Sequence, residues 1–300
     1  AQVGTDNGHT PGTGTMVSGL GSAGSVTGVD TSDITVGENA GTILASASST
    51  LSATAATTGT NGFDSTDLPI VAEAVLGQTS DGLKDSSVTI GADGNISGRS
   101  SLGGSATATN VRDGTGDDAY STINLSGDGI NNSGDNGTGT ITIGATGNVS
   151  GQSLLNADAS STTVSGTAEA KSLLDSTGVN LEAADADITI GESGNISGLG
   201  VIGELSGGVF SDQVDVLATA KLEDATALGK LTVAGISGDD DSGANTNPGD
   251  NQTLLTAGPN GGNVTGQALG GANLVATTVG DPTETSATDD DATATLEISS

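Results

Sequence analysis

The side chains that most often carry out catalysis are nearly missing from this sequence of 300 residues. It contains a single His, His9, in a Gly- and Thr-rich stretch, and no Cys. A Ser-His-Asp triad, a thiolate nucleophile and a thiolate zinc site are therefore excluded. A carboxylate pair that cleaves glycosidic bonds is conceivable among 37 Asp and Glu residues, but no pair stands out from the rest. We expect a protein without catalytic activity.

Clusters of acidic and amide side chains are the strongest candidates for ligand binding. Carboxylate and amide oxygens on a Gly-rich backbone suit Ca²⁺. Smaller clusters occupy residues 128–136, the pair Asp117-Asp118 and residues 289–291. The alternative for each cluster is a solvated loop whose like charges repel one another. The richest cluster, for which the sequence predicts a calcium site, consists of Asp239, Asp240, Asp241, Asn245, Asn247 and Asp250.

The net charge excludes several classes of partner. Six Lys and Arg residues oppose 37 Asp and Glu residues, which gives a formal net charge of −31 at pH 7. This charge repels both nucleic-acid phosphates and anionic lipid headgroups. The longest apolar stretch, residues 69–76, contains Glu73 and is much shorter than a membrane-spanning helix. We expect neither nucleic-acid binding nor membrane insertion, and we expect divalent cations as partners.

The composition predicts a thin and repetitive architecture. The sequence has no Trp, one Tyr and two Phe, so the large rings that fill thick cores are almost absent. It also has 50 Gly, yet hydrophobic residue types make up 33% of the chain. That fraction is too high for a solvated linker without structure.

One phrase recurs along the chain: an alternating strand of the type Ile-Thr-Ile-Gly, a turn, and then Gly-Asn-Ile/Val-Ser-Gly. The clearest copies occupy residues 88–98, 141–151 and 188–198, and weaker copies occupy 24–28, 34–43, 231–238 and 262–266. Successive turn glycines at 41, 94, 147 and 194 are 53, 53 and 47 residues apart, and the spacing then shortens to reach 235 and 262. The turn residues of the repeat are Gly94, Asn95, Gly147, Asn148, Gly194, Asn195, Gly262 and Asn263.

The repeat predicts an all-β fold, a parallel β-helix-like β-solenoid with Gly/Asn corners. Ile-Thr-Ile places two branched side chains on one face, which is typical of a half-buried strand. The following Gly and Asn tolerate positive φ and allow a sharp corner. A unit of 53 residues then corresponds to about three coils of about 18 residues. Tandem β-sandwich modules are the alternative, although sandwiches usually need larger core side chains. Residues 167–174 and 217–228 favour short helices.

Three regions are expected along the chain. Residues 1–22 form a flexible or strand-exchanging N-terminal segment, 23–288 the repeat solenoid, and 289–300 an acidic stretch followed by an alternating edge strand. The start Ala1-Gln2-Val3 is typical of a mature N-terminus from which a signal peptide has been removed. We therefore expect a secreted protein located outside the cell or on its surface.

The ITIG and GNISG phrases resemble the Gly/Asn/Thr-rich repeats of secreted bacterial surface-fibre and adhesin proteins of the marine cyanobacterial type. Phage tail-fibre repeats are a second resemblance. The similar part covers most of residues 23–270. This resemblance implies structural work on a cell or virion surface, and a β-solenoid or a trimeric β-fibre. The calcium-binding string Gly-Gly-x-Gly-x-Asp does not occur, so the ligand sites of nonapeptide solenoids do not carry over.

An open solenoid has unpaired backbone groups at both ends, and no capping segment is evident here. The sequence therefore predicts a structural protein that joins copies of itself through β-edge pairing into an extracellular filament. Two alternatives remain open. One is an adhesin or phage tail-fibre shaft that binds a cell surface, and the other is a carbohydrate-active β-helix enzyme.

Overall fold

The computed structural model describes residues 16–20, 24–57, 70–111, 117–132, 139–181, 186–206, 209–238, 255–279 and 291–300. Every regular element in these residues is a β-strand, and all strand pairs are parallel except one short hairpin. The fold is therefore an all-β, parallel β-solenoid, as the repeat predicts. Parallel pairing also contradicts the alternative of tandem sandwiches, which are built from antiparallel sheets.

The chain passes through three sheets in the fixed order A, B, C, and each passage makes one coil. Sheet A contains β1 (Met16–Leu20), β2 (Gly24–Asp30), β5 (Val71–Lys84), β8 (Ala119–Asn131), β11 (Ala168–Leu181), β17 (Ala225–Gly238) and β21 (Ala292–Ser299). Sheet B contains β3 (Asp33–Val36), β6 (Ser87–Ile90), β9 (Ile141–Ile143), β12 (Ile188–Ile190) and β18 (Leu255–Thr256). Sheet C contains β4 (Thr42–Thr57), β7 (Gly94–Asn110), β10 (Thr146–Thr163), β13 (Ser193–Ile202), β16 (Val214–Ala220), β19 (Val264–Gly270) and β20 (Ala272–Thr278). An antiparallel hairpin of β14 (Glu204–Ser206) and β15 (Val209–Asp212) separates β13 from β16.

One repeat forms one coil, so the prediction of three coils of about 18 residues is wrong. Asn148 of β10 pairs with Asn95 of β7, 53 residues earlier, and with Asn195 of β13, 47 residues later. The prediction of three short coils fails because the strands are longer than it assumes. The alternation that begins at Gly94 does not turn after Ile96 but continues through the 17 residues of β7. Because the strands of sheets C and A are this long, a single coil of the solenoid contains all the residues of one repeat.

The apparent shortening of the period toward the C-terminus is also wrong. The copy at 231–238 lies in β17 of sheet A, and the copy at 24–28 lies in β2 of the same sheet. In sheet C, Ile196 pairs with Val264, which shows that the last coil is longer, not shorter. The same Gly-containing phrase thus occurs in two different sheets.

Two apolar cores fill the solenoid. The larger core lies between sheets A and C and is built mainly of Ala, with some longer side chains such as Leu155 and Ile123. The smaller core lies against sheet B and consists mostly of Ile and Val, among them Ile90, Ile143 and Ile190. Because Ala keeps sheets A and C close together, the larger core needs no aromatic ring.

A waist of glycines separates the two cores. A Cβ atom on Gly129 of β8 would overlap the backbone nitrogen of Gln152 in β10. A Cβ atom on Gly151 of β10 would overlap the carbonyl oxygen of Gly178 in β11. Sheets A and C therefore touch backbone to backbone along this line, which requires glycine.

Both local helix predictions are wrong, and parts of the outer regions belong to the solenoid. Residues 167–174 contribute to β11, and 217–228 contribute to β16 and β17 with a bend between them. Of the segment 1–22, the described residues form β1, which pairs with β5 of the same chain. Of the segment 289–300, β21 pairs with β17 as the last strand of sheet A.

Candidate assembly interface

Among the described residues, the two ends of the solenoid are formed by strands that pair on one side only. At the C-terminal end these strands are β18, β19, β20 and β21, and at the N-terminal end they are β1, β2, β3 and β4. The backbone N–H and C=O groups on the outer side of an edge strand are available to another strand. In this solenoid all three sheets present such an edge at each end.

At the C-terminal end, side chains that point into the core are exposed because no described coil covers them. Ile298 of β21 is 56% exposed, whereas its register partner Leu231 of β17 is fully buried. Val264 of β19 is 48% exposed, and its partner Ile196 of β13 is fully buried. Leu296 of β21 is 42% exposed. These side chains continue the buried columns of the coil beneath. They are exposed because they lie in the last described coil, and not because they point away from the core.

At the N-terminal end, the core columns of sheets B and C begin with partly buried apolar side chains. Ile34 of β3 pairs with the buried Val88, and Ile43 of β4 pairs with the buried Ile96. The column that starts at Ile43 runs through Ile96 and ends at Val264. The column of Ile298 in sheet A begins instead at Gly24. Sheets B and C therefore carry apolar columns from one end to the other, and a second copy placed end to end would extend them.

Outward-facing side chains form ladders that run in one direction along the stack. The Nδ2 of Asn148 donates to the Oδ1 of Asn95 at 2.9 Å, and the Nδ2 of Asn195 donates to the Oδ1 of Asn148 at the same distance. Asn263 donates to the Oδ1 of Asn195 at 3.3 Å and is the last member. In each hydrogen-bonded pair, the Oδ1 of the earlier Asn points toward the following coil. The Oδ1 of Asn263 accepts no hydrogen bond from the described residues and is available to a further coil.

The structure brings all the repeat turn residues into two adjacent columns at the start of the sheet C strands. Gly94, Gly147 and Gly194 lie in register, and a Cβ on Gly147 would overlap the carbonyl oxygen of Gly94. Gly262 occupies the equivalent place in the last coil, where a Cβ would overlap the carbonyl oxygen of Gly194. The column of Asn95, Asn148, Asn195 and Asn263 lies directly beside the glycine column. These residues thus connect coils.

The predicted calcium cluster at 239–250 lies outside the described residues. Asp117 and Asp118, by contrast, hold the backbone of neighbouring coils: the Oδ1 of Asp117 accepts from the nitrogen of Ile70 at 2.8 Å, and the Oδ1 of Asp118 accepts from the nitrogen of Thr167 at 2.9 Å. The described residues contain no group of three or more His, Asp or Glu side chains that could hold a metal ion.

A column of buried acids on sheet A was not predicted from the sequence. Asp81 of β5 and Asp128 of β8 lie side by side in register, and both are buried. The Nδ2 of Asn131 donates to Asp81 at 3.0 Å, and the Nδ2 of Asn180 donates to Asp128 at 3.2 Å. Burial raises the pKa of Asp81 above 3.8, although the Asn131 hydrogen bond opposes the shift. Only the register, which joins residues 47 positions apart, reveals this column.

Carboxylates surround both ends. Glu297 and Asp291 lie at the C-terminal end, and Asp30, Asp33 and Glu38 lie in the first coil. Two copies approaching end to end therefore repel each other unless counterions screen these charges.

No protein-family model matches the chain, and neither the curated proteins nor the solved structures include a similar one. The resemblance to secreted fibre and adhesin repeats therefore stays a prediction from the sequence. In the part of the chain that the structure describes, no helix is long and apolar enough to span a membrane.

Proposed function

We propose that this protein is a secreted structural protein that assembles end to end, through β-edge pairing of its terminal coils, into an extracellular fibre or surface filament. It acts without catalysis, and its partners are copies of itself together with divalent cations. The observation that carries the proposal is the exposure of Val264, Leu296 and Ile298 at positions that are core positions in the coil beneath.

The apolar surface at the C-terminal end favours association. Complete burial of a Val, Leu or Ile side chain stabilises by about 1.5–3 kcal/mol, and these three side chains are about half exposed. Stacking would therefore gain roughly 1 kcal/mol from each of them. Three open sheet edges would add backbone hydrogen bonds along the whole joint.

A second copy is the occupant that fits this end best. The first coil of the same chain already carries the column that Val264 ends, because Ile43, Ile96 and Val264 belong to one column. The end-to-end joint would repeat the coil-to-coil packing that the chain uses internally. The location outside the cell is supported by the resemblance to secreted repeat proteins.

The test is electron microscopy and sedimentation of the purified chain over a range of concentrations. The blocking variant is Leu296→Lys with Ile298→Lys, which places two charges on the inward side of β21. The matched control is Thr293→Lys with Thr295→Lys, which places the same two charges on the outward side of the same strand. We expect filaments from the wild type and the control, and none from the blocking variant.

A mixing experiment separates loss of the joint from loss of the fold. The blocking variant keeps an intact N-terminal end, so a small fraction of it should add to wild-type filaments and stop their growth at one end. Shortened filaments and an unchanged circular dichroism spectrum are expected. A wild-type chain that remains monomeric at every concentration at about 0.15 M ionic strength overturns the proposal, whereas discrete rods or trimers favour the adhesin or fibre-shaft alternative.

A further inference from the structure

A trough on the outer face of sheet C interrupts an otherwise continuous row of side chains. Gly103 of β7 pairs with Thr50 of β4 on one side and with Asn156 of β10 on the other. Because Gly103 has no side chain, a cavity of about 460 Å³ opens across three neighbouring coils. Small-molecule sites commonly have volumes of about 300–1,000 Å³. The trough lies on the first three strands of sheet C, which include β4, the edge strand at the N-terminal end.

The floor of the trough is backbone. It is formed by Gly103, Gly104 and the main chain of Leu51, whose side chain packs into the core on the other face of β4. A Cβ on Gly104 would contact the Leu76 side chain at 3.2 Å, so the backbone of β7 lies directly on the core at this point. A flat ligand could therefore rest on the exposed backbone.

The rim of the trough carries hydroxyl groups that are free to bind a ligand. Thr50, Ser52 and Ser105 line it, and their hydroxyls have no hydrogen-bond partner among the described residues. Each hydroxyl can donate one hydrogen bond and accept others. Three such groups provide several polar contacts without any charge.

Two further side chains are held in place by their neighbours. The Nδ2 of Asn156 donates to the Oε1 of Glu204 at 2.9 Å, in the hairpin that is inserted after β13. The Oδ1 of Asp158 accepts from the backbone nitrogen of Asp215 at 2.9 Å. These contacts fix an amide and a carboxylate at the edge of the trough, which reduces the entropy lost when a ligand is bound.

The chemistry of the lining selects the class of ligand. No Lys or Arg lines the trough, so phosphate, sulfate and carboxylate groups would meet the negative charge of Asp158 without compensation. A single carboxylate is also too few ligands for a protein-bound Ca²⁺. Neutral hydroxyl-rich molecules match the donors and acceptors of the rim. We propose that the trough at Gly103 binds a ring of a neutral carbohydrate.

The test is ligand-observed NMR of the full chain with neutral tetrasaccharides of glucose, galactose, mannose and N-acetylglucosamine. A tetramer of galacturonic acid serves as the charged counterpart. We expect a dissociation constant on the order of 1 mM for at least one neutral probe, as befits a shallow site. The galacturonate should bind more weakly than the galactose probe.

Two matched variants locate the binding. Gly103→Val fills the trough, and its Cβ would contact only the Thr50 side chain, at 3.3 Å, and the Asn156 carbonyl oxygen, at 3.8 Å. Gly77→Val adds the same side chain to sheet A, where the nearest atom to the Cβ is the Asn124 carbonyl oxygen at 3.8 Å. We expect Gly103→Val to weaken binding at least about tenfold and Gly77→Val to leave it unchanged.

Three outcomes would overturn the proposal. The first is that no neutral probe binds at about 10 mM. The second is that Gly103→Val binds as tightly as the wild type, and the third is that galacturonate binds more tightly than the neutral probes. Thermal melting of both variants checks that each is folded.

Discussion

The outward-facing asparagines connect each coil to the next. Asn148 uses its whole amide group: its Nδ2 donates to Asn95, and its Oδ1 accepts from both the backbone nitrogen and the Nδ2 of Asn195, at 3.1 and 2.9 Å. The side chain is exposed, so these hydrogen bonds compete with water and each contributes only about 0.5–1.5 kcal/mol. These hydrogen bonds stabilise the stack together because the same contact is repeated from coil to coil.

Removing a central member of this ladder should weaken the stack. We expect Asn148→Ala to lower the free energy of unfolding by about 1–2 kcal/mol, because contacts to the coils above and below are lost together. Asn124→Ala is the matched control, since Asn124 is exposed on a central strand and shows no side-chain hydrogen bond in the described residues. It should change the free energy by less than about 0.5 kcal/mol. Urea unfolding followed by circular dichroism measures both, and equal losses would contradict a role for the ladder.

Asp81 is a buried carboxylic acid, and its surroundings disfavour the charged form. Its burial raises its pKa, and the nearby carboxylates of Asp85 and Asp30 raise it further, while Asn131 and Lys84 oppose the shift. The folded state therefore binds this proton more tightly than the unfolded chain does. The stability gained from protonated Asp81 is present at low pH and is lost as the pH rises from 3.8 through the folded-state pKa.

The sign of this linkage can be tested with Asp81→Asn. The amide keeps an oxygen that accepts from Asn131 and removes the charge. We expect this variant to be more stable than the wild type by roughly 0.5–2 kcal/mol at pH 7, with the advantage shrinking as the pH falls toward 3.8. The urea midpoints of both proteins, measured across this pH range, give the result. Asp33→Asn removes the same charge from an exposed position and is the matched control.

The glycine waist determines how sheets A and C meet. Glycines recur at one position of every long sheet A strand from β2 to β17: Gly28, Gly82, Gly129, Gly178 and Gly235. A Cβ on any of them would overlap the backbone of sheet C, with contacts of 2.6 Å or less. The waist therefore divides the interior into two cores that pack separately, and it explains why the Gly-containing phrase appears in both sheets.

A methyl group at the waist should be far more damaging than one elsewhere in the same sheet. For Gly129→Ala we expect a loss of about 3 kcal/mol or more, because the overlapping atoms belong to the rigid backbone of β10 and β11. For Gly77→Ala, whose Cβ meets only a carbonyl oxygen at 3.8 Å, we expect a change within about 1 kcal/mol. Thermal melting compares the two, and similar melting temperatures would show that the sheets can separate at little cost.

The strands could be predicted from the sequence, but their lengths and neighbours could not. The alternation of Ile188, Thr189 and Ile190 correctly predicts a strand, because a period of two is a local property. The stretch 167–174 misleads, since Ala, Glu, Lys and Leu favour helices in isolation. In β11, Ala168 and Ala170 instead face the core between buried neighbours, so packing overrides the intrinsic preference.

The sequence predicts the candidate interface only in outline. The alternation of residues 292–298 already indicates that Leu296 and Ile298 share one face of a strand. That this face is a core column becomes visible only from the pairing of β21 with β17, whose partners are 67 residues apart in the sequence. The proposed calcium ligands at 239–250 stay a prediction, because they lie outside the described residues.

At the scale of the whole molecule, charge opposes the association that the apolar ends favour. Five coils at about 4.8 Å each give a stack only about 25 Å tall. The whole chain carries a net charge of −31, and the carboxylates of both ends add local repulsion. Roughly 1 kcal/mol from each exposed core side chain is easily offset by repulsion between two such bodies.

Assembly should therefore depend strongly on salt. The screening length is about 30 Å at 0.01 M ionic strength, comparable to the height of the stack, and about 8 Å at 0.15 M. We expect single molecules at the lower ionic strength with chelator present, and filaments at the higher one. Light scattering during stepwise addition of NaCl measures the transition.

The identity of the cation separates screening from specific binding. If screening alone acts, CaCl₂, MgCl₂ and NaCl should produce filaments at similar ionic strengths, with the divalent ions somewhat more effective because they gather closely around a strongly charged body. If calcium binds at fixed sites, CaCl₂ should act at concentrations where MgCl₂ has no effect, because the two ions differ in their demands on coordination geometry. Replacing Asp239, Asp240 and Asp241 with Asn should then abolish the difference. Filaments that form equally well at 0.01 M ionic strength with chelator would contradict both versions, and would mean that the apolar columns and open sheet edges outweigh the charge unaided.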